Sequence, residues 1–110
     1  MTEYVSIKED VLKKLEANLP EIRERFGIET IGICGSVSRG EDSPDSDVDV
    51  LYAFAEDKAT LRNLLSLHEY LSLLFHREVD VIPIEFVTPV LMQYLQRDAI
   101  LYGTVEIGAA

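Results

Sequence analysis

The chain has 110 residues, of which 47% are hydrophobic, and this size and composition suit a single domain spanning residues 1–110. Ten basic residues against twenty acidic ones give a net charge of −10, which argues against a protein that binds nucleic acid by neutralising phosphates and against docking on an anionic membrane. The one cysteine, Cys34, excludes an internal disulfide, and no apolar run approaches the roughly 18 residues that cross a bilayer, so we expect a cytoplasmic protein.

Segments of helical and strand character alternate along the chain, which predicts an α/β (α+β) domain with a small mixed β-sheet packed against helices. The first helix is expected to begin at a capping box, in which the Ser6 hydroxyl and the Glu9 carboxylate bind amides of the first turn. Pro20 is expected to break or kink this helix, or to start a second one, and Gly27 to end it.

The remaining elements follow from period-two and period-3.6 patterns. Gly35–Ser46 is predicted to be a loop with room for a helical turn. The predicted strands are Thr30–Cys34, Asp47–Phe54, Val79–Ile84 and Ile100–Val105, and the predicted later helices are Thr60–Phe75 and Thr88 to about Asp98. The apolar stripe of the first of these helices is predicted to comprise Leu61, Leu64, Leu65, His68, Leu71, Leu74 and Phe75. Leu67 and Leu73 fall off that stripe and indicate a partner surface.

Gly35 and Ser36 follow directly after an apolar strand. A glycine at this point tolerates a sharp turn and lets another group approach the backbone closely. Exposed amides and a hydroxyl after a strand can hold phosphate oxygens, although Gly-Ser is also a common turn dipeptide.

Asp47 and Asp49 lie two residues apart on a predicted strand, so both carboxylates project from one face, about 6.5–7 Å apart along the chain. The opposite face carries residues suited to a core: Val48, Val50, Tyr52 and Phe54. Seven acidic residues and no Lys or Arg occur between Glu41 and Asp57, so the local sequence offers no cation to offset the repulsion. A divalent cation such as Mg²⁺, which takes carboxylate oxygens as ligands, would do so.

Asp80 is a third carboxylate, placed between two β-branched residues where an unpaired acid would be costly. If its strand lies beside that of Asp49, the three acids form a cluster suited to two Mg²⁺ ions at a phosphorus centre. Each acid alone has a simpler explanation: Asp47 as a turn cap, Asp49 as a solvent-facing residue, and Asp80 as an exposed strand residue.

The pattern G-S-x-x-R-G-x5-S-D-x-D resembles the signature of the minimal nucleotidyltransferases, small members of the DNA polymerase β-like nucleotidyltransferase superfamily. Its positions here are Gly35, Ser36, Arg39, Gly40, Ser46, Asp47 and Asp49, and Asp80 matches the family's downstream carboxylate. The resemblance implies the polymerase β-like palm fold over the whole chain.

The same resemblance implies the roles of these residues. Asp47, Asp49 and Asp80 would be the catalytic and metal-binding residues, with Asp80 also helping to activate the acceptor hydroxyl. The nucleotide-binding residues would be Gly35, Ser36, Arg39 and Ser46. Arg39 could instead form a structural ion pair with a nearby acid, and Ser46 could serve to hold its loop.

The resemblance also implies substrates and a partner. The family's small members resemble antitoxins that transfer AMP from ATP to a tyrosine of a HEPN-domain toxin, and this is the leading hypothesis, with ATP as substrate and Mg²⁺ as cofactor. Two alternatives remain: a binding module that neutralises its partner by occlusion, and nucleotidyl transfer to a small molecule. Neither nucleic acid nor a membrane is expected as a direct partner.

Overall fold

The computed structural model describes residues 3–103, and in this range helices and strands alternate along the chain. The helices are α1 (Lys8–Phe26), α2 (Gly35–Arg39), α3 (Leu61–Phe75) and α4 (Pro89–Asp98). The strands are β1 (Ile28–Cys34), β2 (Val48–Phe54), β3 (Val79–Pro83) and β4 (Ile100–Gly103). The end of the predicted last strand, residues 104 and 105, lies outside the described residues.

The four strands form one mixed sheet in the order β3-β2-β1-β4. β1 runs antiparallel to both β2 and β4, whereas β2 and β3 are parallel neighbours. A parallel pair cannot be joined by a tight turn, and α3 supplies the connection between β2 and β3. The predicted mixed sheet packed with helices is therefore confirmed.

The core lies between one face of this sheet and the helices α1 and α3. The predicted inward face of β2 is confirmed, because Val48, Val50 and Tyr52 are buried and Phe54 packs against them. The buried core residues are Val11, Leu15, Ile22, Phe26, Ile28, Ile31, Ile33, Val37, Val48, Val50, Tyr52, Leu67, Leu71, Phe75 and Val79. The other face of β2 carries the half-buried Asp49 and, further along the strand, the buried Leu51.

The predicted stripe of α3 is confirmed in part, because Leu71 and Phe75 are buried and Leu64 and Leu74 pack against the core, but it is wrong at other positions. Leu67 is fully buried, whereas Leu61 and Leu65 are 71% and 60% exposed. The buried face runs through Leu67, Leu71 and Phe75, and the surplus of leucines hid its position because several helical stripes could be drawn through them. Leu67 therefore belongs to the core, while Leu73 is exposed.

The start of α1 also differs from the predicted capping box. The Ser6 hydroxyl oxygen accepts a hydrogen bond from the Lys8 N–H at 3.1 Å, and the hydroxyl donates to Asp42, a residue of the loop before β2. The Asp42 carboxylate also accepts from the Ile7 N–H at 3.1 Å. A carboxylate from a distant loop, rather than that of Glu9, therefore binds an amide at the start of α1. α1 then continues through Pro20, so the predicted break or second helix is wrong, and it ends at Phe26, directly before the left-handed Gly27, which confirms the predicted stop.

We expect Asp42→Asn to destabilise the fold by about 2 kcal/mol, the usual contribution of hydrogen bonds to a charged group. Burial alone would raise the pKa of Asp42, but hydrogen bonds from Ser6, Tyr4 and Ile7 outweigh it and lower the pKa below 3.8. A carboxyl with a lowered pKa stabilises the folded state above its unfolded pKa, and that contribution is lost as the pH falls through the folded value.

Urea denaturation at pH 7 and pH 3 measures this effect, which should be large at pH 7 and smaller at pH 3. Asp45→Asn, at an exposed position in the same loop, is the matched control. Equal stabilities of the two variants at pH 7 would contradict the assignment of Asp42 as the anchor of α1.

Candidate active site

The parallel pairing of β2 and β3 places Asp49 directly beside Asp80. Paired residues on neighbouring strands project from the same face of a sheet, and neighbouring strands lie about 4.8 Å apart. Asp49 is half-buried and Asp80 is exposed, and both side chains project from the face opposite the core. This adjacency is the geometric condition that the three-acid site requires.

Asp47 lies just before β2 rather than inside it and is exposed. It acts electrostatically on the same centre, because the pKa of Asp49 is raised first by burial, then by the charge of Asp80 and then by that of Asp47. The positive charge of Arg39 opposes this increase. Asp49 is therefore the acid on which the other two charges act.

The three acids form an open arrangement rather than a closed metal cage. Among residues 3–103, no group of three or more His, Cys, Asp or Glu side chains lies close enough together to hold a metal ion by itself. Mg²⁺ usually keeps several waters and binds through one or two carboxylates together with substrate phosphates. Hard carboxylate ligands on an exposed surface therefore fit a Mg²⁺ ion whose other ligands are waters or phosphate oxygens.

Gly35 packs against Asp49 where β1 passes into α2. Its φ of +76° lies in the left-handed region, and a Cβ at this position would come within 3.0 Å of the Asp49 Oδ2 atom. A side chain here would both strain the backbone and displace the carboxylate. The predicted close approach of another group to this glycine is therefore found, and that group is a site carboxylate.

Ser36 occupies the first turn of α2, next to Gly35, and is half-exposed. Ser38 is committed to the fold, because its hydroxyl donates to the Gly35 carbonyl at 2.8 Å, and Val37 is fully buried. The hydroxyl of Ser36 has no hydrogen bond to any other residue of the described range. It is thus free to contact a ligand placed over α2.

Arg39 and Ser46 are engaged within the protein. The Arg39 guanidinium forms ion pairs of 3.3 Å with both Glu41 and Asp98, and hydrogen bonds to these two acids raise its pKa. The Ser46 hydroxyl accepts from the Ser43 N–H at 2.8 Å and closes a turn in the loop before β2. These contacts match the structural alternatives considered for both residues.

Arg77 binds the loop that leads to Asp47, and the sequence patterns did not single it out. It precedes β3, and its guanidinium donates to the main-chain carbonyls of Ser43 and Ser46 at 3.0 and 2.9 Å. No sequence pattern points to these contacts, because the guanidinium binds main-chain carbonyls, which carry no side-chain signature.

Two other reactive residue types take structural positions. Burial, followed by the charges of Asp49 and Asp98, raises the pKa of Cys34 to about 11, so this buried thiol stays protonated at neutral pH. The His68 Nε2 atom lies 2.9 Å from the Val79 carbonyl and joins α3 to β3.

A groove of about 690 Å³ lies at the other end of β2, lined by Tyr52, Phe54, Leu61 and Phe86 among others, and none of the three acids lines it.

Comparison with known proteins identifies the fold and its chemistry. The nucleotidyltransferase domain profile matches residues 15–104. The protein adenylyltransferase MntA of Thermococcus cleftensis is 43% identical over 74 residues, which are 67% of this chain and 74% of that protein. The solved structure of a protein assigned as a minimal nucleotidyltransferase superposes with a TM-score of 0.72 at 34% identity, covering 84% of this chain and 93% of that one.

A further similarity concerns the fold alone. The solved complex of a tri-AMPylated HEPN toxin with its MNT antitoxin from Shewanella oneidensis contains a chain that superposes with a TM-score of 0.51 at 21% identity, covering 88% of this chain and 70% of that one. In the part of the chain that the structure describes, no helix has both the length and the apolar composition to cross a bilayer.

Proposed function

The chain belongs to the minimal nucleotidyltransferases of the nucleotidyltransferase domain family and is a transferase enzyme, and from this premise we propose that it transfers AMP from ATP to a tyrosine hydroxyl of a cognate HEPN-domain toxin. The parallel register that sets Asp80 beside Asp49 is the observation that carries this proposal. It sets these two acids side by side, close to Gly35, and we propose that the nucleotide lies there.

In the proposed reaction, the acceptor oxygen attacks the α-phosphorus of ATP. A bond forms between this oxygen and phosphorus, the bond from phosphorus to the α,β-bridging oxygen breaks, and pyrophosphate leaves with the electron pair. The hydroxyl proton passes to Asp80 or to water. Positioning and charge stabilisation supply most of the rate in reactions of this kind.

Asp47, Asp49 and Asp80 are the proposed catalytic and metal-binding residues. When bound, Mg²⁺ would offset the negative charge of the triphosphate and polarise the reacting phosphoryl group, and two such ions suit this reaction class. Asp49 lies at the centre of the acids, and Asp80 lies on the exposed strand edge where an acceptor can approach. The roles of Gly35, Ser36, Arg39 and Ser46 in nucleotide binding belong to the same proposal.

The proposed partner rests on the named complexes and on charge. A structural neighbour is an antitoxin bound to an AMPylated HEPN toxin, and the adenylyltransferase MntA is 43% identical to this chain. The net charge of −10 would favour association with a basic protein such as an RNA-cleaving toxin. We also propose that the protein acts in the cytoplasm.

Incubation of the chain with labelled ATP, Mg²⁺ and the product of a neighbouring toxin gene tests the proposal. Mass spectrometry should detect one or more AMP additions on a tyrosine of that product, and EDTA should abolish them. If Asp49→Asn still silences the toxin and no AMP is transferred by either form, the chain acts by occlusion. Transfer to a small hydroxylated molecule, with none to the protein, would support the other alternative.

A further inference from the structure

We propose that Arg77 is a positioning residue for the metal-binding acids, holding the loop that presents Asp47 against the segment that presents Asp80. This inference rests on the proposed function for its catalytic consequence, but its structural part can be tested separately. Arg77 contacts none of the three acids in the structure, so it would act through the backbone that carries them.

The contacts of Arg77 join two segments that are far apart in sequence. Its Nη1 donates to the Ser43 carbonyl at 3.0 Å and to the Ser46 carbonyl at 2.9 Å, and its Nη2 donates to the Tyr4 hydroxyl at 3.2 Å. Arg77 itself is half-buried. One guanidinium thus satisfies two carbonyls that neither a helix nor a strand pairs.

The loop between α2 and β2 needs such a clamp because it has little regular structure of its own. Its turn is closed by the Ser46 N–H, which donates to the Ser43 carbonyl at 3.1 Å. Directly after this turn comes Asp47, and the next residue, Val48, donates its N–H to the Glu78 carbonyl at 2.9 Å. Arg77 and Glu78 together therefore attach the loop at the point where Asp47 emerges.

The same clamp sets the position of β3. Arg77 lies three residues before Asp80, and His76 before it adopts the left-handed conformation, with φ of 54°, that ends α3. Arg77 therefore lies near Asp80 in sequence, and the Ser46 carbonyl that it binds lies directly before Asp47. Since the acids repel one another without a cation, a restraint on both backbones would keep them close enough to share one.

Arginine suits this role better than lysine does. Its planar guanidinium presents five donors in a fixed geometry, so it can bind two carbonyls and a hydroxyl at once, whereas an ammonium group on a flexible stem directs its donors less firmly. The clamp also extends to the Tyr4 hydroxyl, which donates to Asp42, the anchor of α1.

The experiment compares Mn²⁺ binding, in place of Mg²⁺, by the full chain and its Arg77→Met and Arg77→Lys variants, using electron paramagnetic resonance in the presence of a non-hydrolysable ATP analogue. We expect R77M to weaken Mn²⁺ binding about tenfold, to increase amide exchange in residues 43–49, and to raise the Mg²⁺ concentration for half-maximal transfer by a similar factor. R77K, which keeps the charge and some donors, should recover part of each effect and serves as the second variant should R77M fold poorly.

Arg62→Met is the matched control, because Arg62 is an exposed arginine of α3 with no ion pair to any residue of 3–103. If R77M and R77K keep the Mn²⁺ affinity and amide exchange of the R62M control, the positioning role is overturned, whatever the transfer activity. If both quantities change as expected while the unmodified chain transfers no AMP, the clamp stands and the proposed function fails.

Discussion

Asp49→Asn is expected to reduce AMP transfer by about 10³-fold or more while leaving the fold intact. Asparagine has nearly the same shape as aspartate but no charge. The variant therefore loses the negative charge that Asp80 and Asp47 act on and that would attract a bound cation. Metal charge contributes several kcal/mol of transition-state stabilisation, and each 1.4 kcal/mol corresponds to about a tenfold change in rate. Quantitative labelling of the proposed acceptor protein with radioactive ATP measures the loss.

The same substitution should make the metal-free protein more stable. Burial and the charges of Asp80 and Asp47 raise the pKa of Asp49, so its ionised form is less favourable in the folded than in the unfolded state. The resulting destabilisation is absent below the ordinary pKa of 3.8, grows as the pH rises from there to the folded value, and is fully present above it. Since Asp49 is half-exposed and screened by solvent, we expect a gain of at most about 1 kcal/mol at pH 7.

Thermal denaturation in EDTA at pH 7 and pH 3 measures this gain, which should disappear at the lower pH. Asp57→Asn, at an exposed position beyond the other end of β2, is the control and should change neither stability nor transfer appreciably. A lower melting temperature for Asp49→Asn than for Asp57→Asn at pH 7 would show that Asp49 contributes to stability, and would contradict the interpretation of the acids as a repulsive cluster.

The central geometry of the site followed from local sequence patterns. Alternation along β2 assigned Val48 and Val50 to the core and Asp49 to the opposite face, because side chains in a strand alternate with period two. The position of Asp80 could not be derived in this way. Its pairing with Asp49 depends on which strands are neighbours, and only the resemblance to a known family supplied that expectation.

Residues that act across long sequence separations escaped prediction. Asp42 replaces the expected cap of α1 from 35 residues away, and Arg77 binds the Ser43 and Ser46 carbonyls from 34 and 31 residues away. A capping pattern considers only the first turn of its own helix, so it cannot detect a competing carboxylate from another loop. Likewise, backbone carbonyls carry no side-chain signature, so the need for a cation near residues 43–46 was not visible in the sequence.

Gly35→Ala is expected to reduce transfer by about 10²-fold or more through two effects on the same residue. The left-handed φ of +76° costs a non-glycine residue about 1–2 kcal/mol, which lowers the stability of the fold. The added methyl group would also come within 3.0 Å of Asp49 Oδ2, so the carboxylate must move away from the face it shares with Asp80. Displacement of a catalytic group by about 1 Å can cost about 10²-fold in rate.

Gly40→Ala separates these two effects. Gly40 ends α2 with a similar φ of +72°, but a Cβ there would meet only the Lys8 Cδ atom, at 3.9 Å. Both alanine variants should therefore lose similar stability in thermal denaturation, and only Gly35→Ala should show the large loss of transfer and weaker Mn²⁺ binding. The two positions share the backbone strain, but only Gly35 faces the Asp49 carboxylate. Equal loss of transfer in both variants would therefore mean that backbone strain in α2, rather than the collision with Asp49, limits activity.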